Sequence, residues 1–482
     1  MRRRHRRGAS IGLDAIVVGA GPNGLAAAIE LARAGRRVRV YEAAPTPGGG
    51  LRSAELTLQG FVHDVCAAVH PFAAASPFFR SVDWARRGVV WLQPEAPFAH
   101  PLDDGTAVVA GPSVEATAAR LGPDRRRWRR VFGPLAGDLE RLLPALLGPL
   151  LRIPRHPLAL ARFGLPALLP ATRFARAAFE TPAARAAFAG LAAHSMLRLD
   201  RAASAAFGLV LGTLAQSVGW PIARGGSGTV AAALAEELAT LGGELWTGQR
   251  VDGLDALPPA RAVLLDVSPR EALRIAGSRL RGWERGWLGR YRYGPGVFKI
   301  DWALDGPVPW AAPGVETAGT VHLGGRLEEI AAAEAAVAAG RHPERPFVIL
   351  VQPSRLDPSR APAGRHTAWA YCHVPNGSPV DMTRAIEAQV ERFAPGFRDR
   401  ILARHTIDAA GMERYDGNYV GGDIGCGLVD LRQLLVRPLP ALDPYRLGPG
   451  LYLCSSATPP GPGVHGMCGW HAARSALRHE LR

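Results

Sequence analysis

The stretch from Asp14 to Glu42, DAIVVGAGPNGLAAAIELARAGRRVRVYE, constrains this chain more than any other. Ala15 to Val18 is an apolar run without polar alternation, as expected of a parallel strand covered on both faces. Gly19, Gly21 and Gly24 follow at once and give G-x-G-x-x-G. In such a turn the first glycine permits the tight bend. The second lets a pyrophosphate approach the backbone, and the third lets the helix pack on the strand. Leu25 to Ala34 then carries apolar residues at helical spacing, and Gly35 ends that helix. Its free amino-terminal N–H groups would face phosphates. Val38 to Tyr41 makes a second strand. Glu42, 23 positions after Gly19, stands where a carboxylate accepts hydrogen bonds from a ribose hydroxyl pair. A lone glycine turn is weak evidence, but strand, turn, helix, second strand and terminal acid together predict dinucleotide binding.

With 482 residues, 48% of them hydrophobic, the chain can bury two or more domain cores and is too apolar for a disordered protein. Its net charge of +15 would suggest nucleic acid or an anionic membrane. Yet Lys299 is the only lysine among 57 basic residues, and Ala, Gly and Pro are abundant. That pattern is a coding bias toward G+C, so no nucleic-acid partner is expected. The basic head, residues 1 to 10, reads as a disordered tail. A signal peptide is rejected, because Asp14 would fall in its apolar core and cleavage near Ala28 would discard the glycine turn. Cys66, Cys372, Cys426, Cys454 and Cys468 form no C-x-x-C pair, which fits a reducing cytoplasm. No spacing of His, Cys and acidic residues suggests a metal, and no apolar run is long enough to span a bilayer.

After Glu42 comes a glycine loop, Gly48 to Gly50, with Arg52 placed to meet a phosphate or a ring edge. Here the sequence resembles the FAD-dependent phytoene-desaturase-like oxidoreductases. That group includes carotenoid desaturases, retinol saturases and the proteins called pyridine nucleotide-disulfide oxidoreductase domain-containing protein 2. The resemblance rests on Gly19 to Gly24, Glu42, the unit Gly49-Gly50-Leu51-Arg52-Ser53, and GFVHD at Gly60 to Asp64. It implies an α/β fold, a Rossmann-like FAD-binding domain of the glutathione-reductase and amine-oxidase type, with an inserted α+β substrate domain. Residues 11–80, 221–268 and 431–482 would form the first and residues 81–220 and 269–430 the second.

Residues 81 to about 220 read as helical and rich in Arg, Ala and Leu. Between Arg141 and Phe179 there is no acidic residue, while Arg152, Arg155, Arg162 and Arg173 alternate with Leu and Pro. Two compatible readings are a surface docking on anionic lipid and helices lining a lipophilic cavity. Gly225 to Leu241 is a glycine loop opening a helix, without the Lys-Ser/Thr ending of a triphosphate loop. Glu244 to Val251 reads as a strand whose backbone, near Val251, contacts adenine by resemblance. Further strands are expected at Ala262 to Val267, Val297 to Leu304, Phe347 to Gln352 and Thr367 to Val374.

In VFKIDWAL, alternation sets Lys299 on the opposite face from Phe298 and Ile300. The stretch resembles the strand of monoamine-oxidase-like flavoproteins whose lysine holds a water at the flavin, so Lys299 is a catalytic candidate, weighed against an ordinary strand lysine. Leu451 to Leu453 forms a last strand, followed by a loop and a helix from Cys468. By resemblance, Gly463, Val464, Gly466 and Met467 lie against the flavin, with the helix dipole stabilising the reduced ring. His465 stands where carotenoid desaturases usually carry a small, proline-like residue. His465 and His70 are candidates to exchange a proton during hydride transfer, packing being the alternative for His70.

The expected function is FAD-dependent hydride transfer at C–C bonds of a lipophilic, carotenoid- or isoprenoid-like substrate. Amine oxidation at a C–N bond is one alternative, and a non-catalytic FAD-binding, membrane-associated protein is another. The expected location is cytoplasmic, with a peripheral membrane contact. Oligomeric state, substrate and electron acceptor are left open.

Overall fold

In the computed structural model, which describes residues 12–150 and 153–482, the strands follow in chain order. The first eight are β1 (Leu13–Val18), β2 (Val38–Tyr41), β3 (Ser53–Glu55), β4 (Val62–Asp64), β5 (Trp91–Leu92), β6 (Ala96–Pro101), β7 (Ala107–Val109) and β8 (Ile222–Ala223). Next come β9 (Glu244–Trp246), β10 (Ala260–Leu265), β11 (Gly296–Leu304), β12 (Ala318–Leu323) and β13 (Val348–Val351). The last are β14 (His366–Val374), β15 (Ile401–Ile407), β16 (Arg446–Gly448) and β17 (Leu451–Leu453). The basic head and Arg152 fall outside the described residues.

The first sheet has the order β16-β17-β10-β1-β2-β9. β1 runs parallel to both β2 and β10. Its residues alternate between two cores: Ala15 and Val17 pack on one side, Ile16 and Val18 on the other. Both faces are therefore covered, which is why the sequence run is continuously apolar. Helix α1 (Pro22–Arg33) and the carboxy-terminal helix Met467–Arg478 close one face together. They approach so closely that a Cβ at Gly469 would lie 1.7 Å from the Asn23 carbonyl oxygen.

The second sheet has the order β15-β11-β14-β13-β12-β6-β7. All its pairings are antiparallel except that of β12 with β6. On β11, Phe298, Ile300 and Trp302 face an apolar core, and Lys299 and Asp301 share the opposite face. Helices Pro182–Ala193 and Ala205–Ala215 cover that second face, with Phe98 and Ile349 from the sheet and Phe347 just before β13. The stretch from residue 81 is thus not wholly helical. β6 and β7 form a hairpin that joins the second sheet through β12.

The two units are tied by buried charge. The Asp64 carboxylate accepts hydrogen bonds from Ser53 Oγ (2.7 Å), the Ser227 N–H (2.7 Å) and Arg360 Nη2 (2.7 Å). Burial pushes that carboxyl up, but Arg360 and the hydrogen bonds outweigh it and hold it below the usual range. Among the described residues no helix is long and apolar enough to cross a membrane.

Candidate functional site

β1 delivers the chain into a turn that only glycine can make. Gly19 sits at φ +101°, and a Cβ at Gly24 would lie 2.0 Å from the Gly19 carbonyl oxygen. α1 then starts at Pro22, whose missing N–H belongs to a position with no intrahelical partner. The Gly24 N–H donates to Asp266 Oδ2 at 2.7 Å, so a carboxyl group sits at the positive end of α1. Burial pushes this carboxyl up to about 8, with the Asp416 and Glu42 carboxylates adding to the effect. At pH 7 Asp266 is therefore mostly neutral, and the helix terminus retains its preference for an anion.

Glu42 closes β2 as expected, and it also holds the turn. Its Oε2 accepts the Ala20 N–H (2.7 Å), and its Oε1 accepts the Ala44 N–H (2.8 Å) and Arg52 Nη2 (3.2 Å). Three of about four acceptor positions are used, which leaves one for a hydroxyl. Arg52 also donates to the Thr46 carbonyl oxygen (3.1 Å) and lies over the Tyr415 ring (5.5 Å). The Arg52 guanidinium thus braces Glu42. Gly49 brings the second glycine loop onto the first, because a Cβ there would lie 3.2 Å from Gly21 Cα.

Between the two sheets lies a cavity of about 310 Å³. At one end it is lined by Gly21, Asn23, Gly49, Gly50, Ser456, Gly463 and Val464. Its floor is the second sheet, through Ile349, Val351, Trp369 and Tyr371, and Phe72, Phe207 and Leu211 close it. The Trp369 and Tyr371 rings are nearly parallel, 8° apart at 6.0 Å. Asn23 Oδ1 is buried at the turn without a hydrogen-bond partner among the described residues. This combination fits a dinucleotide cofactor: a helix terminus selective for anions, two touching glycine loops, a carboxylate with a spare acceptor position, and a buried amide oxygen free to accept.

The three histidine and lysine candidates have different fates. His70 lines the cavity. Ser227 Oγ donates to the Ala67 carbonyl oxygen (2.6 Å), so His70 Nε2–H must donate to Ser227 Oγ (2.9 Å). That fixes the tautomer and leaves Nδ1 as a buried lone pair without a partner among the described residues. Burial pushes the ring down to about 4, so it is neutral at pH 7. Lys299 does not line the cavity, where Trp369 and Tyr371 stand instead. Its ammonium donates to Asp301, with His63 Nδ1 and His405 Nδ1 each 3.6 Å from that carboxylate. His465 also does not line the cavity. Its Nδ1 accepts the Met467 N–H (3.0 Å), so its Nε2–H donates to the Gly461 carbonyl oxygen (3.1 Å), and both ring nitrogens are committed to the loop.

Gly463 and Val464 line the cavity, but Gly466 and Met467 do not. A Cβ at Gly466 would meet Phe78 at 2.6 Å, and Met467 is buried in the core behind α1. The carboxy-terminal helix braces α1. Val251 follows β9, which ends at Trp246 instead of running on to residue 251. It is buried beside Tyr41 and is absent from the cavity lining. Sequence reasoning missed Asp266, Asp416, Asp423 and His194, which all line the cavity, and His322, which His194 contacts from behind the lining. For Asp266 one signal existed: a lone acid directly after an apolar strand, in LLDVSP.

The decisive observation is a glycine turn between parallel strands with α1's terminus open to a cavity. The amino-terminal unit is a Rossmann-like dinucleotide-binding domain. Residues 17–82 match the family model described as NAD(P)-binding Rossmann-like domain. The chain is similar to pyridine nucleotide-disulfide oxidoreductase domain-containing protein 2 of Mus musculus, at 26% identity over 96% of this chain and 93% of that protein. A shorter match, 31% identical over 28% of this chain and 25% of the other, is to one of the chains of limonene dehydrogenase from Castellaniella defragrans. Among solved structures, a putrescine oxidase variant superposes with a TM-score of 0.62 at 18% identity, covering 97% of this chain and 98% of that one. These relatives and neighbours are oxidoreductases by name, and the fold they share with this chain is mixed α/β.

Proposed function

We propose that this chain is an FAD-dependent oxidoreductase acting by hydride transfer on a C–C bond of a lipophilic, isoprenoid-like substrate. The observation that carries this reading is one continuous cavity running from the glycine turn to an apolar sheet floor. Bound flavin would supply the hydride chemistry. The α1 terminus, Gly21 and Gly49 would hold the pyrophosphate, and Glu42 would receive a ribose hydroxyl. Gly463 and Val464 would lie against the ring system. Phe72, Phe207 and Leu211 exclude water and orient an apolar chain across Trp369 and Tyr371. His70 Nδ1 is the acceptor for a proton released from substrate. Limonene dehydrogenase is named for an isoprenoid hydrocarbon, which supports the substrate class.

The same reading has substrate drawn from an anionic lipid surface. Ile153, Leu158 and Leu165 are 97%, 81% and 71% exposed, with exposed Arg155, Arg162 and Arg173 around them. Reconstitution of purified protein with FAD is the test, and a protein showing no flavin absorbance afterwards sinks the proposal. Amine oxidation is the second reading. It draws on the likeness to putrescine oxidase and on three carboxyl groups, Asp266, Asp416 and Asp423, in the cavity wall. Bleaching of the flavin by members of an amine panel would favour it.

A further inference from the structure

The far end of the cavity is built differently from the rest. Sheet register sets its distance: Lys299 pairs with Tyr371, Tyr371 with Ile349, and Ile349 with His322. Three strand steps place His322 about 14 Å across the sheet from Lys299. The Lys299 side is the cofactor side, because Val297, on the same face of β11, packs with Tyr419, whose hydroxyl lies against Gly50.

At the far end His194, at the end of helix Pro182–Ala193, reaches down to His322, with Nε2 atoms 2.8 Å apart. Trp220 packs its edge against both rings, at 5.8 and 6.1 Å. Thr320 lies two residues before His322 on the same strand face. His194, Trp220 and Thr320 all line the cavity. Trp220 and Thr320 are each 2% exposed, yet Trp220 Nε1 and Thr320 Oγ1 have no hydrogen-bond partner among the described residues.

An indole N–H can only donate, and a buried donor left unmade costs about 1–3 kcal/mol. Two such groups side by side at one end of the cavity call for an acceptor arriving with the ligand. Among the described residues no cationic side chain lines this end; burial pushes His194 down to about 3, and His322 well below the usual imidazole range, so both are neutral.

We infer that Trp220, Thr320 and the His194–His322 pair form a subsite for a hydrogen-bond-accepting oxygen, a carbonyl or carboxyl, at the end of the substrate remote from the reacting bond. This rests on the reading of the cavity as a lipophilic-substrate site. It makes the substrate amphipathic rather than a bare hydrocarbon, and it fixes which end enters first.

The test uses the FAD-loaded full chain and two polyenes of one C20 skeleton, one ending in an aldehyde and one a plain hydrocarbon. Binding is read by equilibrium dialysis for wild type, Trp220→Phe and Thr320→Val. The aldehyde is expected to bind wild type about tenfold more tightly, as for a well-made buried hydrogen bond. Each substitution should cut that preference at least about threefold while leaving hydrocarbon affinity unchanged. Equal binding of the two polyenes to wild type overturns the inference alone, as does a preference that survives both substitutions. Failure of both polyenes to bind overturns the lipophilic-substrate reading together with it.

Discussion

Asp266→Asn isolates the electrostatics of the glycine turn. In the unfolded chain Asp266 loses its proton near the ordinary value of 3.8, whereas in the fold burial, Asp416 and Glu42 hold the proton up to about 8. Between those values the folded state binds more protons than the unfolded state, so stability falls as pH rises. The slope is about 1.4 kcal/mol per pH unit, which accumulates to about 4 kcal/mol by pH 7. The loss is complete above about pH 8. Asparagine keeps an acceptor for the Gly24 N–H but does not titrate, so the variant escapes this dependence. Urea denaturation of both cofactor-free proteins, in parallel at pH 5, 6, 7 and 8, reads the difference directly. The variant should gain on wild type by about 1.4 kcal/mol per unit and the gap should then level off. In the holoprotein an added pyrophosphate charge disfavours ionised Asp266 further, so wild-type affinity for FAD should fall above pH 8 and variant affinity should not. Parallel stability curves would refute the reasoning, because they would mean that Asp266 is already ionised in the fold.

Lys299→Met should destabilise the fold by about 3–5 kcal/mol, because it strands the buried Asp301 carboxylate. Restored stability in Lys299→Met with Asp301→Leu, measured by thermal unfolding, separates this from a catalytic effect. His70→Phe removes the Nδ1 lone pair, and the flavin reduction rate should drop about 10²-fold or more with FAD content unchanged. Because burial pushes the His70 ring down to about 4, the wild-type rate should not change between pH 6 and 8 on its account. Leu158→Ser with Leu165→Ser should abolish co-sedimentation with anionic vesicles while leaving thermal stability within about 0.5 kcal/mol.

What could be read from sequence was what local rules determine. Leu13 to Glu42 forms β1, turn, α1 and β2 because turn chemistry, capping and periodicity all lie within thirty residues. β11, β13 and β14 were legible from their apolar runs. β6 was not: APFAHP contains two prolines, and its place in the sheet is set by β12, more than 200 positions later, as well as by its hairpin partner β7. Sequence separation also hid Asp266, whose partner is the Gly24 N–H, and the His194–His322 contact, which joins a helix end to a strand. Lys299 and Asp301 stand two apart on one strand, so their pairing was visible in principle. Its consequence depends on burial, which one strand does not reveal. His465 was read from its loop, and the loop does reach the cavity; the ring turns back to cap the helix that follows.

Anaerobic stopped-flow mixing of the FAD-loaded protein with a panel of polyenes, isoprenoids and amines tests the central claim most directly. The account predicts bleaching of the flavin by a lipophilic C–C substrate, lost or strongly slowed in His70→Phe, and none by amines. Bleaching by amines alone, or a flavin that no compound reduces, would contradict it.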